Sequence, residues 1–264
     1  MDEGWTRWLL EHFGFAYRNV SNADLQSGDL KQKFDVIIFP DQQPNTIMQG
    51  YKPGAMPPEY TGGLGQNGID SVKQFAQSGG TVICLNHSTA FCIGSLEAQA
   101  TNVLDNRVAA AGGDEPPGPG RGGERNGSGR GASATDFYSP GSLLNVKLDL
   151  SSPLTRGLPE TIAIWSEQTP AFTSDQPSIA TYPADDILAS GWLLGENSIA
   201  NKSALIDAKV GEGHILLFGM RPQYRAQSYQ AFKLFFNAFI AYSERKYRFT
   251  PSTLLAFSIE VAWL

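Results

Sequence analysis

Residues 34–41, FDVIIFPD, and residues 79–92, GGTVICLNHSTAFC, decide the fold between them. The first is a continuous apolar run ending in Pro40-Asp41, the pattern of a strand buried on both faces of a parallel sheet. Between the two runs, Ile69, Val72, Phe75 and Ala76 form the apolar face of a helix expected near 66–78. Gly79-Gly80 stops that helix, and TVICLN (81–86) is the next buried strand. Strand, helix, glycine stop and strand make a βαβ unit with a right-handed crossover.

Working outward, Trp5, Trp8, Leu9, His12 and Phe13 recur at helical spacing and predict a helix over 2–13, closed by Gly14, with both tryptophans in the core. Residues 15–20 read as a short extended piece, followed by a polar turn and a short helix. A further helix is expected over 88–98. Residues 109–135 then contain nine glycines; that composition cannot bury a core, so a flexible, solvated insert is expected. Residues 137–196 read as β-rich, and 203–222 as a hairpin turning at Gly211–Gly213. The last strong helix is expected over 228–246, with Phe232, Phe235, Phe236, Phe239 and Ile240 on one face. The sum is an α/β domain over 1–246, a three-layer sheet flanked by helices with a β-rich excursion in its second half.

The totals exclude several classes. A chain of 264 residues, 41% hydrophobic and 17% charged, suffices for one good-sized core. A net charge of −6 and a pI near 5.1 disfavour a nucleic-acid or anionic-membrane surface. No run approaches the roughly 18 apolar residues of a membrane span. MDEGWTRWLLEHFGF has no signal-peptide pattern, and the compartment stays open. Three scattered histidines without an HxxE, HExxH or CxxC pair predict no zinc site. The absence of G-x-G-x-x-G and of a P-loop lysine predicts no nucleotide cofactor, and none of another kind is expected. Cys84 and Cys92 are the two cysteines. They fall on a strand and on the following helix, where a disulfide between them is not expected.

Seven blocks in this order, DEGWTRWLLEHFGF (2–15), FDVIIFPDQ (34–42), GAMPPEYTGGLG (54–65), the Gly79-Gly80 strand, FYSPGSLL (137–144), SGWLLGE (190–196) and GMRPQYRAQSYQAFKLFFNAF (219–239), carry a resemblance. They resemble the C-terminal domain of bacterial zinc carboxypeptidase-like proteins of the carboxypeptidase A type. That resemblance implies a flavodoxin-like, class I glutamine amidotransferase-like fold, a non-catalytic accessory role, and a peptidase domain as partner. Two departures qualify it. The zinc-binding catalytic domain is absent, so no peptidase chemistry passes to any residue here. In such relatives a strand precedes the first helix, whereas this chain starts at Met1, which also leaves open whether it is a truncated reading frame. The tail 247–264 does not resemble the family, and STLLAFSIEVAWL is apolar and β-prone. It is expected to add a strand to the sheet, in its own chain or in a homodimer joined through the sheet edge or the tail.

Class I amidotransferases place their cysteine nucleophile in a G-x-C-x-G elbow, because the turn is strained and backbones pass closely. Around Cys84 the flanking positions are Val82 and Asn86, not glycine. Counted from Gly80, the elbow apex falls near Asn86 or His87 and leaves Cys84 inside the strand as a small hydrophobe. Two uses of this edge remain. As a hydrolase of esters, lactones or amides, the edge would use His87 as base, Asp41 to orient it, and Ser88 or Cys84 as nucleophile. As a scaffold, Ser88 would cap the following helix and His87 would be a loop residue. Arg221, Gln223 and Arg225 follow the apolar strand HILLFGM. With Glu196 they would line a shallow pocket for a carboxylate or a sugar, or serve capping and domain contact.

Overall fold

The computed structural model describes residues 2–55, 57, 61–104, 137–242 and 261–263. The insert 109–135 and most of the tail lie outside them. The helices are α1 (Asp2–His12), α2 (Asn22–Gln26), α3 (Leu30–Lys33), α4 (Pro44–Gln49), α5 (Gly65–Gln77), α6 (Ser88–Gly94) and α7 (Tyr229–Ile240). The strands are β1 (Tyr17–Asn19), β2 (Val36–Phe39), β3 (Thr81–Leu85), β4 (Thr101–Asn102), β5 (Pro140–Leu148) and β6 (Thr161–Glu167). They continue with β7 (Phe172–Thr173), β8 (Ser178–Thr181), β9 (Leu188–Ser190), β10 (Ser203–Val210), β11 (Gly213–Phe218) and β12 (Val261–Trp263).

One sheet runs β1-β12-β2-β3-β11-β10-β8-β5-β6 among the described residues. From β1 to β11 every pairing is parallel; β10 turns back antiparallel on β11, and the excursion beyond it is antiparallel throughout. The parallel block is the α/β layer that the paired apolar runs predict. The backbone of Val261–Trp263 lies between β1 and β2, in register with Tyr17–Asn19 on one side and Val36–Ile38 on the other.

Strand alternation divides the core into two. Val36, Ile38, Ile83, Leu85, Leu216 and Phe218 face α1 and α7, whereas Ile37, Phe39, Val82, Cys84, Ile215 and Leu217 face α2 to α6. Because both faces are covered, β2 and β3 are buried at every residue, which is why their sequences show no polar alternation. The β10–β11 turn is held against the α5–β3 corner. A Cβ on Gly213 would stand 2.2 Å from the carbonyl oxygens of Ala76 and Gly80, so only glycine fits there.

Three expectations change. In α1 the inward face is Thr6, Leu9 and Leu10, all buried, while Trp8 is 39% exposed. Trp5, Trp8 and His12 form an aromatic ladder along the flank instead, with the Trp8 and His12 rings stacked 5.1 Å apart. Helix α6 ends at Gly94, and Glu97 takes a left-handed φ of 59°, which no helix running to residue 98 permits. Cys84 and Cys92 are joined by a disulfide. The strand points Cys84 toward the helix layer, and α6 packs back over it, leaving the two Cα atoms 6.6 Å apart, within bridging range.

Candidate functional site

The carboxyl ends of β2, β3 and β11 meet at one edge, where open α/β sheets place their ligands. Asp41 follows β2, Asn86 and His87 follow β3, and Arg221 follows β11; Glu167 closes β6, and Asp2 opens α1. Asn86 is the residue at which the strand turns into helix α6. Its backbone is left-handed, with φ 50°, and its side chain is fully buried. Asparagine is among the few residues that adopt that conformation readily, and this is why it stands where glycine is absent.

Asp41 organises the edge. Its carboxylate accepts hydrogen bonds from Asn86 Nδ2 at 2.8 Å and from the His87 backbone N–H at 3.1 Å, and its Oδ1 lies 2.7 Å from His87 Nδ1. A carboxylate cannot donate, so the His87 Nδ1 carries the proton that faces Asp41. Burial by itself would raise the Asp41 carboxyl, but the hydrogen bond and charge of His87, the Asn86 amide and the Arg221 guanidinium hold it below its ordinary value. The Asp41 hydrogen bond, working against burial, holds His87 above its ordinary value. The His87 side chain is 37% exposed, against 10% for Asp41.

Arg221 is the centre of charge. Its guanidinium pairs with Asp2 Oδ1 at 3.3 Å and with Asp41 Oδ2 at 3.6 Å, and Nη2 donates to Glu167 Oε2. It lies 3.9 Å over the Tyr224 ring, which packs against Trp165. Three carboxylates therefore already share this cation. Burial pushes the Asp2 carboxyl up, and Arg221 only partly offsets it. Gln223 is fully buried and donates from Nε2 to Thr6 Oγ1 at 2.7 Å, fixing α1 to the strand edge.

The structure brings Asp41, His87 and Arg221 together, keeps Gln223 beside them through its bond to Thr6, and gives Ser88, Cys84, Glu196 and Arg225 other surroundings. Ser88 is fully buried, and its hydroxyl points to the backbone carbonyls of Phe39 and Leu85 at 3.0 and 2.8 Å. It opens α6 without capping it; His87 occupies the cap position, with no side-chain cap bond. Cys84 is bonded to Cys92 and is no thiol nucleophile in this state. Glu196 and Arg225 are exposed, and neither makes a hydrogen bond or ion pair with Arg221 among the described residues. Arg225 instead sits 5.2 Å from the Tyr224 ring centroid.

Asp2, Glu167 and Trp165 were not readable as site residues. Asp2 resembles an ordinary acidic residue of a helix's first turn, and Glu167 and Trp165 stand on an antiparallel strand far away in the chain. Four buried side-chain atoms in this neighbourhood have no hydrogen-bond partner among the described residues: Asn86 Oδ1, Trp165 Nε1, Arg221 Nε and Gln223 Oε1. The surface hollow of about 400 Å³ along Leu150–Leu158 lies elsewhere and contains none of these residues.

No protein-family model and no curated protein matches the chain. Among solved structures it is similar to a ThuA-like protein from Parabacteroides merdae, at 13% identity and a TM-score of 0.49, covering 94% of this chain and 86% of that one. It is also similar to a ThuA-like protein from Bacteroides uniformis, at 11% identity and a TM-score of 0.46 over 94% and 85% of the two chains. A Thermoplasma acidophilum protein of the GMP synthase type shows 12% identity and a TM-score of 0.47 over 89% and 84%.

Proposed function

We propose that this chain is a non-catalytic, amidotransferase-like α/β domain whose strand edge binds a polar ligand or partner group and does not hydrolyse it. The observation that carries the reading is Asn86. The position at the strand-to-helix turn, where this type of fold holds its nucleophile, bears a buried amide, which cannot act as one. The disulfide on Cys84 and the inward hydroxyl of Ser88 support the same conclusion. The hydrogen-bonding capacity left unused at Asn86, Trp165 and Gln223 supports binding, because buried polar groups are costly without a partner. The resemblance in sequence would make the natural partner a zinc peptidase domain.

The test is turnover. A panel of nitrophenyl esters, lactones and amides is expected to be hydrolysed no faster by the wild type than by His87→Ala or by buffer. Hydrolysis above background that disappears in His87→Ala would replace this reading with that of a hydrolase in which the Asp41–His87 pair activates water.

A further inference from the structure

The disulfide between Cys84 and Cys92 closes a loop that contains the whole strand-to-helix turn: Leu85, Asn86, His87 and Ser88. Cys84 is the second-last residue of β3, and Cys92 lies in the second turn of α6. The bond therefore ties the central strand to the helix whose cap residue is His87. Both sulfurs are fully buried, and the Phe39 and Phe91 rings, 5.1 Å apart, belong to the same apolar cluster.

Sulfur atoms in a disulfide are about 2.0 Å apart, whereas two unbonded thiols need roughly the 3.5–4 Å of a van der Waals contact. In a core packed without slack, that extra distance must come from movement of an element. β3 cannot supply it, because it is paired along its length with β2 and β11. Helix α6 has seven residues and no side-chain cap, and apart from the Ser88 hydroxyl bonds at its start it lacks the ladder that pins β3, so it yields more readily than the strand. Its cap residue, His87, carries the backbone N–H and imidazole that hold Asp41.

We propose that the Cys84–Cys92 disulfide is a redox latch on the Asp41–His87 pair: oxidation seats α6 and sets the pair, and reduction releases it. The step is a thiol–disulfide exchange with a dithiol. One thiolate of the reductant attacks a protein sulfur, its second thiol resolves the mixed disulfide, and two electrons and two protons pass to Cys84 and Cys92 while the reductant becomes a disulfide. Burial of both sulfurs makes the exchange wait on local opening of α6. The latch is independent of what the edge binds.

The test is the His87 titration, followed by NMR of its ring protons in three samples. These are the oxidised protein, the protein reduced with dithiothreitol, and Cys84→Ala/Cys92→Ala, each with its redox state verified by intact mass and by maleimide trapping in denaturant. In the oxidised sample the His87 midpoint is expected above 6.5. In the reduced sample and the double variant it should move down by about half a pH unit or more, and reoxidation with diamide should restore it. Identical midpoints in verified oxidised and reduced protein would overturn the proposal. So would two free thiols in air-oxidised protein, or loss of the whole fold on reduction, which would make the bond a global staple.

Discussion

His87 Nδ1 stands 2.7 Å from Asp41 Oδ1, and the pairing moves the two groups apart in titration, Asp41 down and His87 up. The depressed carboxyl contributes stability above its unfolded value near 3.8, and that contribution is lost as pH falls through the folded value. The raised imidazole contributes fully below 6.5 and loses its contribution as pH rises through the folded value. The pair is therefore at full strength between those two limits. Asp41→Asn is expected to cost roughly 1–3 kcal/mol in that window and to bring the His87 midpoint toward 6.5. Urea melts at several pH values would show it, and equal slopes above pH 6.5 in wild type and variant would argue against the pairing.

Arg221→Met leaves Asp2, Asp41 and Glu167 around a site without its cation. Asp2 and Asp41 are buried enough to register the loss, while Glu167, at 41% exposed, is largely screened by solvent. The expected cost is about 3 kcal/mol at neutral pH. It should shrink below about pH 5 as the carboxyls take up protons. A loss that does not change with pH would mean that packing on Tyr224, rather than charge, dominates at this position.

Leu9 and Trp8 are neighbours in α1 with opposite roles. Leu9→Ala empties a fully buried position and is expected to cost about 2–5 kcal/mol. Trp8→Ala removes a half-exposed ring from the Trp5–His12 ladder and should cost about 1 kcal/mol. Comparing the two midpoints in one denaturant series checks the orientation of the helix; a reversed order would rotate α1.

Ala262 sits in the middle of β12, with strands on both sides. Proline there removes a ladder donor inside a sheet, and Ala262→Pro is expected to lower stability by about 3 kcal/mol. An unchanged melting temperature would show that β12 contributes nothing to the fold.

Asp41 and His87 were legible as partners because each follows an apolar run, and consecutive parallel strands deliver their next residues to the same edge. Arg221 was legible in the same way, since it follows HILLFGM. Asp2 and Glu167 were not, because nothing local in a helix's first turn or in an antiparallel strand tells which distant cation it will face. Helical spacing gathered the apolar side of α1 but did not orient it, because Trp5, Trp8, Leu9 and His12 cover more of the helix than the sheet can bury.

The α/β class, the order of the central elements and the edge to which Asp41, His87 and Arg221 are delivered follow from the sequence. Apolar runs, helical periodicity and glycine stops are local signals, and local signals suffice for those. Tertiary packing settles that Cys84 bonds Cys92, that Ser88 turns inward, that three carboxylates share Arg221, and that Asn86 rather than His87 is the left-handed apex of the turn. Each of those depends on which side chains meet across the packed layers, and that is settled by the distances between elements far apart in the chain.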